Sequence, residues 1–148
     1  MNDNQSICLT VPADANYVDI IRLALYGISS KWGFSYEEIE DMKVAVAEAC
    51  NNAVLHAYRE EETGKIQVSF DRTENGIRIS VKDDGASFDY HRRSGQVDAL
   101  HDKELSEIRA GGLGIYLMQA LMDEVQVVTD SGTEVILTKF LQVSEGIQ

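Results

Sequence analysis

Two short alternating runs constrain this chain most. Ile66, Val68 and Phe70 occupy every second position of one run, and Ile77 to Val81 alternates in the same way. Side chains of a strand point to opposite faces in turn, so each run carries one apolar face. Glu74-Asn75-Gly76 lies between them as a turn signal, and a β-hairpin is expected. A sheet with one apolar face calls for a covering layer.

The cover is visible elsewhere in the chain. Val18, Ile21, Leu25 and Ile28 recur at helical spacing between Asn16 and Lys31, with Ile20 and Leu23 expected to widen the apolar face and Gly33 to end the helix. Ser35 and Glu38 form a capping-box pattern with an acidic first turn. The helix that follows keeps Ile39, Met42, Val46, Ala49 and Ala53 on one stripe to about Tyr58, and Arg59 to Gly64 reads as a polar turn. A short strand is expected at Ile7 to Val11, ended by Pro12. A last helix at about Leu113 to Met122 precedes two strands, Val125 to Thr129 and Thr133 to Phe140, joined at Asp130 to Gly132. Hairpins joined to helices in this order imply an α+β two-layer sandwich: a mixed, mostly antiparallel sheet with helices on one face. Residues 1–148 suit one domain. Between Gly85 and Ala110 no period is sustained, beyond a weakly helical pattern at Val97 to Ile108. A connection of that length within a compact domain points to function or motion.

Charge narrows the partners. Thirteen Lys and Arg against twenty-five Asp and Glu leave a net charge of −12. Nucleic acid would be repelled, and a basic protein is the natural complement. No apolar run is long enough to cross a bilayer, so no membrane span is expected. The opening "MNDNQSICLTV" lacks a basic segment followed by a long apolar one, so no signal peptide is expected and a cytoplasmic location is. Cys8 and Cys50 form no Cys/His cluster and are expected to be reduced, buried small apolar residues.

Three stretches carry groups suited to chemistry. In "EACNNAVLHAY", Glu48 and Asn52 are four apart, one above the other beside the apolar stripe, with His56 continuing the ladder. A carboxylate there could accept a proton, and an Asn amide oxygen is a ligand for a hard cation such as Mg²⁺. In "VKDDGASFD", Asp83 ends a strand, where a buried carboxylate would accept a hydrogen bond from an adenine amino group. Gly85 would let the backbone approach a flat base. In "RAGGLGIY", glycines at a helix start expose N–H groups to an anion such as phosphate, although the P-loop pattern is absent. Taken singly, each stretch has an ordinary alternative: a solvated helix edge, a turn, a flexible joint.

Taken in order, with Gly132-Thr133 between the last strands, they resemble the GHKL ATPase superfamily and its Bergerat nucleotide fold from about Val11 to Phe140. "EIEDMKVAVAEACNNAVLHAY" and "GGLGIYLMQALMDEV" are similar to the anti-sigma-factor serine kinases. That resemblance implies ATP and Mg²⁺, with Glu48 as general base and Asn52 holding the metal against the triphosphate. It implies Asp83 on the adenine amino group, Gly85 beneath the base and Thr133 near the adenine. It places Gly112 and Gly114 at the helix that meets the phosphates, and a lid at about 88–111. It further implies a sigma factor of the sigma-B type as sequestered partner, an anti-sigma antagonist protein as phosphorylation substrate, and a homodimer. Two positions depart from relatives: Arg109 lies three residues before Gly112 rather than two before the Gly-x-Gly, and Asn51 replaces a small hydroxyl residue. The rival reading is a module that holds ATP, transfers nothing and only sequesters a partner. The ATP-binding half of a histidine kinase is disfavoured, because the chain leaves no room for a sensor or phosphoacceptor domain.

Overall fold

The computed structural model describes residues 5–59, 64–83, 114–129 and 132–142. The elements run β1 (Ser6–Pro12), α1 (Val18–Lys31), α2 (Tyr36–Arg59), β2 (Lys65–Thr73), β3 (Gly76–Asp83), α3 (114–121), β4 (Glu124–Val128) and β5 (Thr133–Phe140). One sheet holds the five strands in the order β1-β2-β3-β5-β4.

Every strand pairing among the described residues is antiparallel, in keeping with the mostly antiparallel sheet expected from sequence. The reason is the second hairpin. β4 returns at the far edge, and β5 folds back between it and β3. β1, β3 and β4 therefore run one way and β2 and β5 the other, and no two strands of the same direction pair.

Phe70 shows how the register builds the core. It pairs with Ile7 on β1 and with Ile79 on β3, and both it and Ile79 are fully buried. Ile66, Val68, Val81, Val135 and Leu137 continue the same face of the sheet. Onto that face pack Ile21 and Leu25 of α1, Ile39, Met42 and Val46 of α2, and Met118 of α3. The opposite face is largely polar, carrying Ser69, Ser80, Lys82 and Glu134, with the Ser80 hydroxyl donating to the Glu134 carboxylate. Two layers result, as a one-sided apolar sheet requires.

Local chemistry sets the helix ends. The Asp14 side chain accepts from Asn16 N, so the segment before α1 tightens into a 3-10 turn at Ala15–Tyr17 and the α-helix begins at Val18. The capping box closes as expected: Ser35 N donates to Glu38 Oε1 at 2.8 Å and Glu38 N donates to Ser35 Oγ at 3.1 Å. Gly33 takes φ 99, a left-handed conformation that frees the chain to leave α1 for α2. Trp32, buried at the end of α1, carries the Arg72 guanidinium 5.9 Å above its ring and ties the helix end to β2.

Two expectations fail. Ile20 and Leu23 do not widen the buried face of α1: Leu23 is 72% exposed and Ile20 is 44% exposed. At about 100° per residue both fall on the far side of the helix from Ile21 and Leu25. Cys8 is exposed rather than buried, while Cys50 is buried as expected. Cys8 pairs with Ser69 and shares its polar face; Leu9 and Val11, one residue out of phase, turn toward the helices.

Candidate active site

Glu48 and Asn52 lie beside the buried stripe of α2, half-buried, with Ala49, Cys50 and Ala53 packed inward and Asn51 exposed. The four-residue spacing does what it predicts, stacking a carboxylate and a carboxamide along one edge of the helix. The His56 side chain lies outside the described residues.

α3 meets that edge. Gly114, Met118 and Met122 recur every four residues and are buried, so Gly114 faces inward. A Cβ built on Gly114 would stand 2.7 Å from Glu48 Oε2, 3.0 Å from its Cγ and 3.2 Å from its Cδ. The Glu48 carboxyl therefore rests against bare backbone. The reading from sequence treats Gly114 only as an N–H donor and misses this contact. The signal that could have found it is the 114–118–122 spacing, which puts a glycine on an otherwise apolar, inward stripe.

The far end of α3 is tied to β5. Lys139 Nζ donates to the Leu121 carbonyl at 2.8 Å, where a cation also suits the negative end of the helix. Asp123 N donates to Thr138 O at 2.9 Å, and Phe140 N donates to Asp123 Oδ2 at 2.7 Å. These bonds, and the burial of Met118 and Met122, fix how α3 approaches α2. Lys139 is a second residue that the sequence reading passes over; it sits next to the end of β5 and looks like any solvated lysine.

Asp83 ends β3 with 4% of its surface exposed. Directly opposite stands Thr133, the first residue of β5. Two residues far apart in sequence are thereby brought to one end of the sheet. α2 packs across both strands. Gly85, Gly112, Arg109 and the stretch at 88–111 lie outside the described residues. A groove of about 390 Å³ lined by Thr73, Asn75, Arg78 and Gln126 opens at the opposite end of β3, by the hairpin turn, and none of the candidate residues lines it. Among the described residues no group of three or more His, Cys, Asp and Glu could hold a metal, and no helix is long and apolar enough to cross a membrane.

Chemically, the described groups offer a carboxylate beside a carboxamide on one helix and a buried carboxylate at a strand end. The first pair suits proton transfer near a hard cation, and the second suits a planar donor.

Comparison with known proteins adds a family to this geometry. Residues 11–139 match the histidine kinase-like ATPase domain family. The chain is 50% identical over 131 residues to the serine-protein kinase RsbW of Bacillus licheniformis, covering 88% of this chain and 82% of that one. It is 43% identical over 141 residues to RsbW of Bacillus subtilis, covering 95% and 88%. Two solved structures share the fold. The RsbU and RsbW domains of a Mycobacterium tuberculosis protein superpose with a TM-score of 0.66 at 23% identity, over 93% of this chain and 32% of that one. The SiaB–SiaC complex of Pseudomonas aeruginosa gives 0.62 at 16% identity, over 92% and 89%.

Proposed function

The chain belongs to the histidine kinase-like ATPase family and, within it, to the RsbW-type serine-protein kinases, and on that premise we propose how its own residues carry the reaction. It is an anti-sigma-factor serine kinase of a partner-switching circuit and binds ATP.

Glu48 is the general base. Its carboxylate takes the proton from the attacking serine hydroxyl while that oxygen bonds to the γ-phosphorus. The bond from phosphorus to the β–γ bridging oxygen breaks, and ADP leaves with the electron pair. Asp83 accepts a hydrogen bond from the adenine amino group, with Thr133 beside it and Gly85 under the base. Gly112 and Gly114 turn backbone N–H groups toward the phosphates. The stretch at 88–111 closes over the nucleotide.

The residues present fit Mg²⁺. The Asn52 amide oxygen is a hard ligand of the kind such a cation takes alongside waters and phosphate oxygens. When bound, the ion supplies positive charge against the triphosphate on a chain whose own net charge is −12.

Residues 1–148 act as one domain in the cytoplasm, paired as a homodimer. One partner is a sigma factor of the sigma-B type, held away from polymerase. The other is an antagonist protein, which displaces the sigma factor until its serine is phosphorylated.

The observation that supports this reading best is the Glu48 carboxyl seated against Gly114, at the entry to the helix that would meet the phosphates. The test is incubation with ATP, Mg²⁺ and candidate antagonist proteins, with the phosphosite read by mass. Phosphoserine on one antagonist is the expected product. ATP bound without transfer to any of them would favour the non-catalytic, ATP-holding module.

A further inference from the structure

We propose that Gly114 is a positioning residue for Glu48: its missing side chain makes the space in which the Glu48 carboxyl is held for proton transfer. The inference rests on the reading of Glu48 as general base.

The argument starts from what Gly114 is not needed for. Among the described residues only Gly33 and Gly132 take a positive φ, so the backbone at 114 is open to an ordinary L residue. Alanine would offer the same N–H to a phosphate, so N–H donation does not explain a glycine there either. What glycine alone provides is room. The nearest atoms to a built Cβ all belong to one side chain, Glu48: Oε2 at 2.7 Å, Cγ at 3.0 Å and Cδ at 3.2 Å.

The identity of that neighbour decides what a methyl would do. At Gly76 a Cβ would meet backbone, Lys139 O at 2.1 Å and Phe140 Cα at 2.8 Å, which cannot step aside. At Gly114 the obstacle is the end of a flexible side chain. The fold would absorb the methyl by swinging the Glu48 carboxyl away, leaving helix and core in place. A general base works within roughly 2.6–3.2 Å of its proton, so that swing removes it from reach. A misplacement of about 1 Å can cost on the order of 100-fold in rate.

The test is Gly114→Ala in the wild-type chain and in a Glu48→Ala background, with kcat and KM for ATP, ATP affinity and Tm measured for all four proteins. In the wild-type background, Gly114→Ala should lower kcat by roughly 10- to 100-fold. Tm should hold or rise, and KM and ATP affinity should change less than threefold. In the Glu48→Ala background the same substitution should leave kcat unchanged, because the group it displaces is gone. Equal fractional losses in both backgrounds would overturn the inference, because the added methyl would then act on the nucleotide itself and not through Glu48. A loss carried by ATP affinity, an unchanged kcat for Gly114→Ala alone, or loss of the folded state would overturn it too. If Glu48→Ala by itself keeps the wild-type rate, the general-base reading fails first and the inference falls with it.

Discussion

Asp83 and Thr133 face each other across the β3–β5 ladder, at the end of the sheet where β3 stops and β5 begins. Directly opposed residues of an antiparallel pair share a face, and here it is the face that bears Val81 and Val135 and lies under α2. The pairing brings a buried carboxylate and a hydroxyl, fifty positions apart in sequence, to the end of β3 from which the chain runs on toward the glycine-rich stretch.

Asp83→Asn tests the base pocket. The carboxylate only accepts, whereas the amide also donates, so an adenine amino group loses part of its match and the guanine carbonyl loses part of its repulsion. ATP affinity should fall, by about tenfold for one hydrogen bond to a charged group. Discrimination against GTP should shrink. Titration with both nucleotides checks this, and unchanged affinity for both would remove Asp83 from the adenine site.

Glu48→Gln keeps the shape of the side chain and removes its basicity. Phosphorylation of the antagonist should slow by roughly 10²- to 10⁴-fold, with ATP binding little changed. Sequestration of the sigma factor should persist, since one neutralised charge need not disturb a separate surface. In a pull-down time course with antagonist and ATP, the wild-type protein should recapture the sigma factor as the antagonist is phosphorylated, and the variant should not. Equal recapture by both would show that phosphorylation is not the switch.

The two cysteines should behave oppositely. Cys8 is exposed and Cys50 is buried, so a thiol reagent should label Cys8 in the folded protein and Cys50 only on unfolding. Burial pushes the Cys50 thiol from 9.0 up to about 12, against a smaller opposing pull from the Arg22 charge. The folded state thus holds the proton more tightly than the unfolded state. The resulting stability is complete below pH 9 and is lost as pH rises from there toward 12. Denaturant melts across that window should fall more steeply for the wild-type chain than for Cys50→Ala. Equal slopes would mean that the thiol is not protected.

Two stability variants probe the packing of the sheet. Phe70→Ala empties the centre of a face with no exposed surface at Phe70 and should cost about 3–5 kcal/mol. Gly76→Ala drives a methyl into the Lys139 carbonyl and should cost about 1–3 kcal/mol, although a strand otherwise favours alanine over glycine. Both are read by urea melts. A Gly76→Ala protein as stable as wild type would mean that the β3–β5 ladder can open there without cost.

Much of this molecule is written locally. The capping box at Ser35 and Glu38 forms as its spacing requires, and the stripe from Ile39 to Ala53 is buried as its period predicts. The hairpin closes at Glu74-Asn75, with Thr73 paired to Gly76. These features need only near neighbours, and period and turn chemistry encode near neighbours directly. The stacking of Glu48 over Asn52 is of the same kind. Tertiary structure decided the rest. Nothing in the apolar runs says that β5 lies between β3 and β4, which sets Asp83 against Thr133. Nothing near Cys8 says which way the edge strand turns, because register follows the face that the helices cover. The contact between Glu48 and Gly114 joins residues sixty-six positions apart, and it exists because Met118, Met122 and the Lys139 bond hold α3 against α2. A sequence period names the face that is buried; which element covers that face depends on long-range packing, and only the folded chain fixes it.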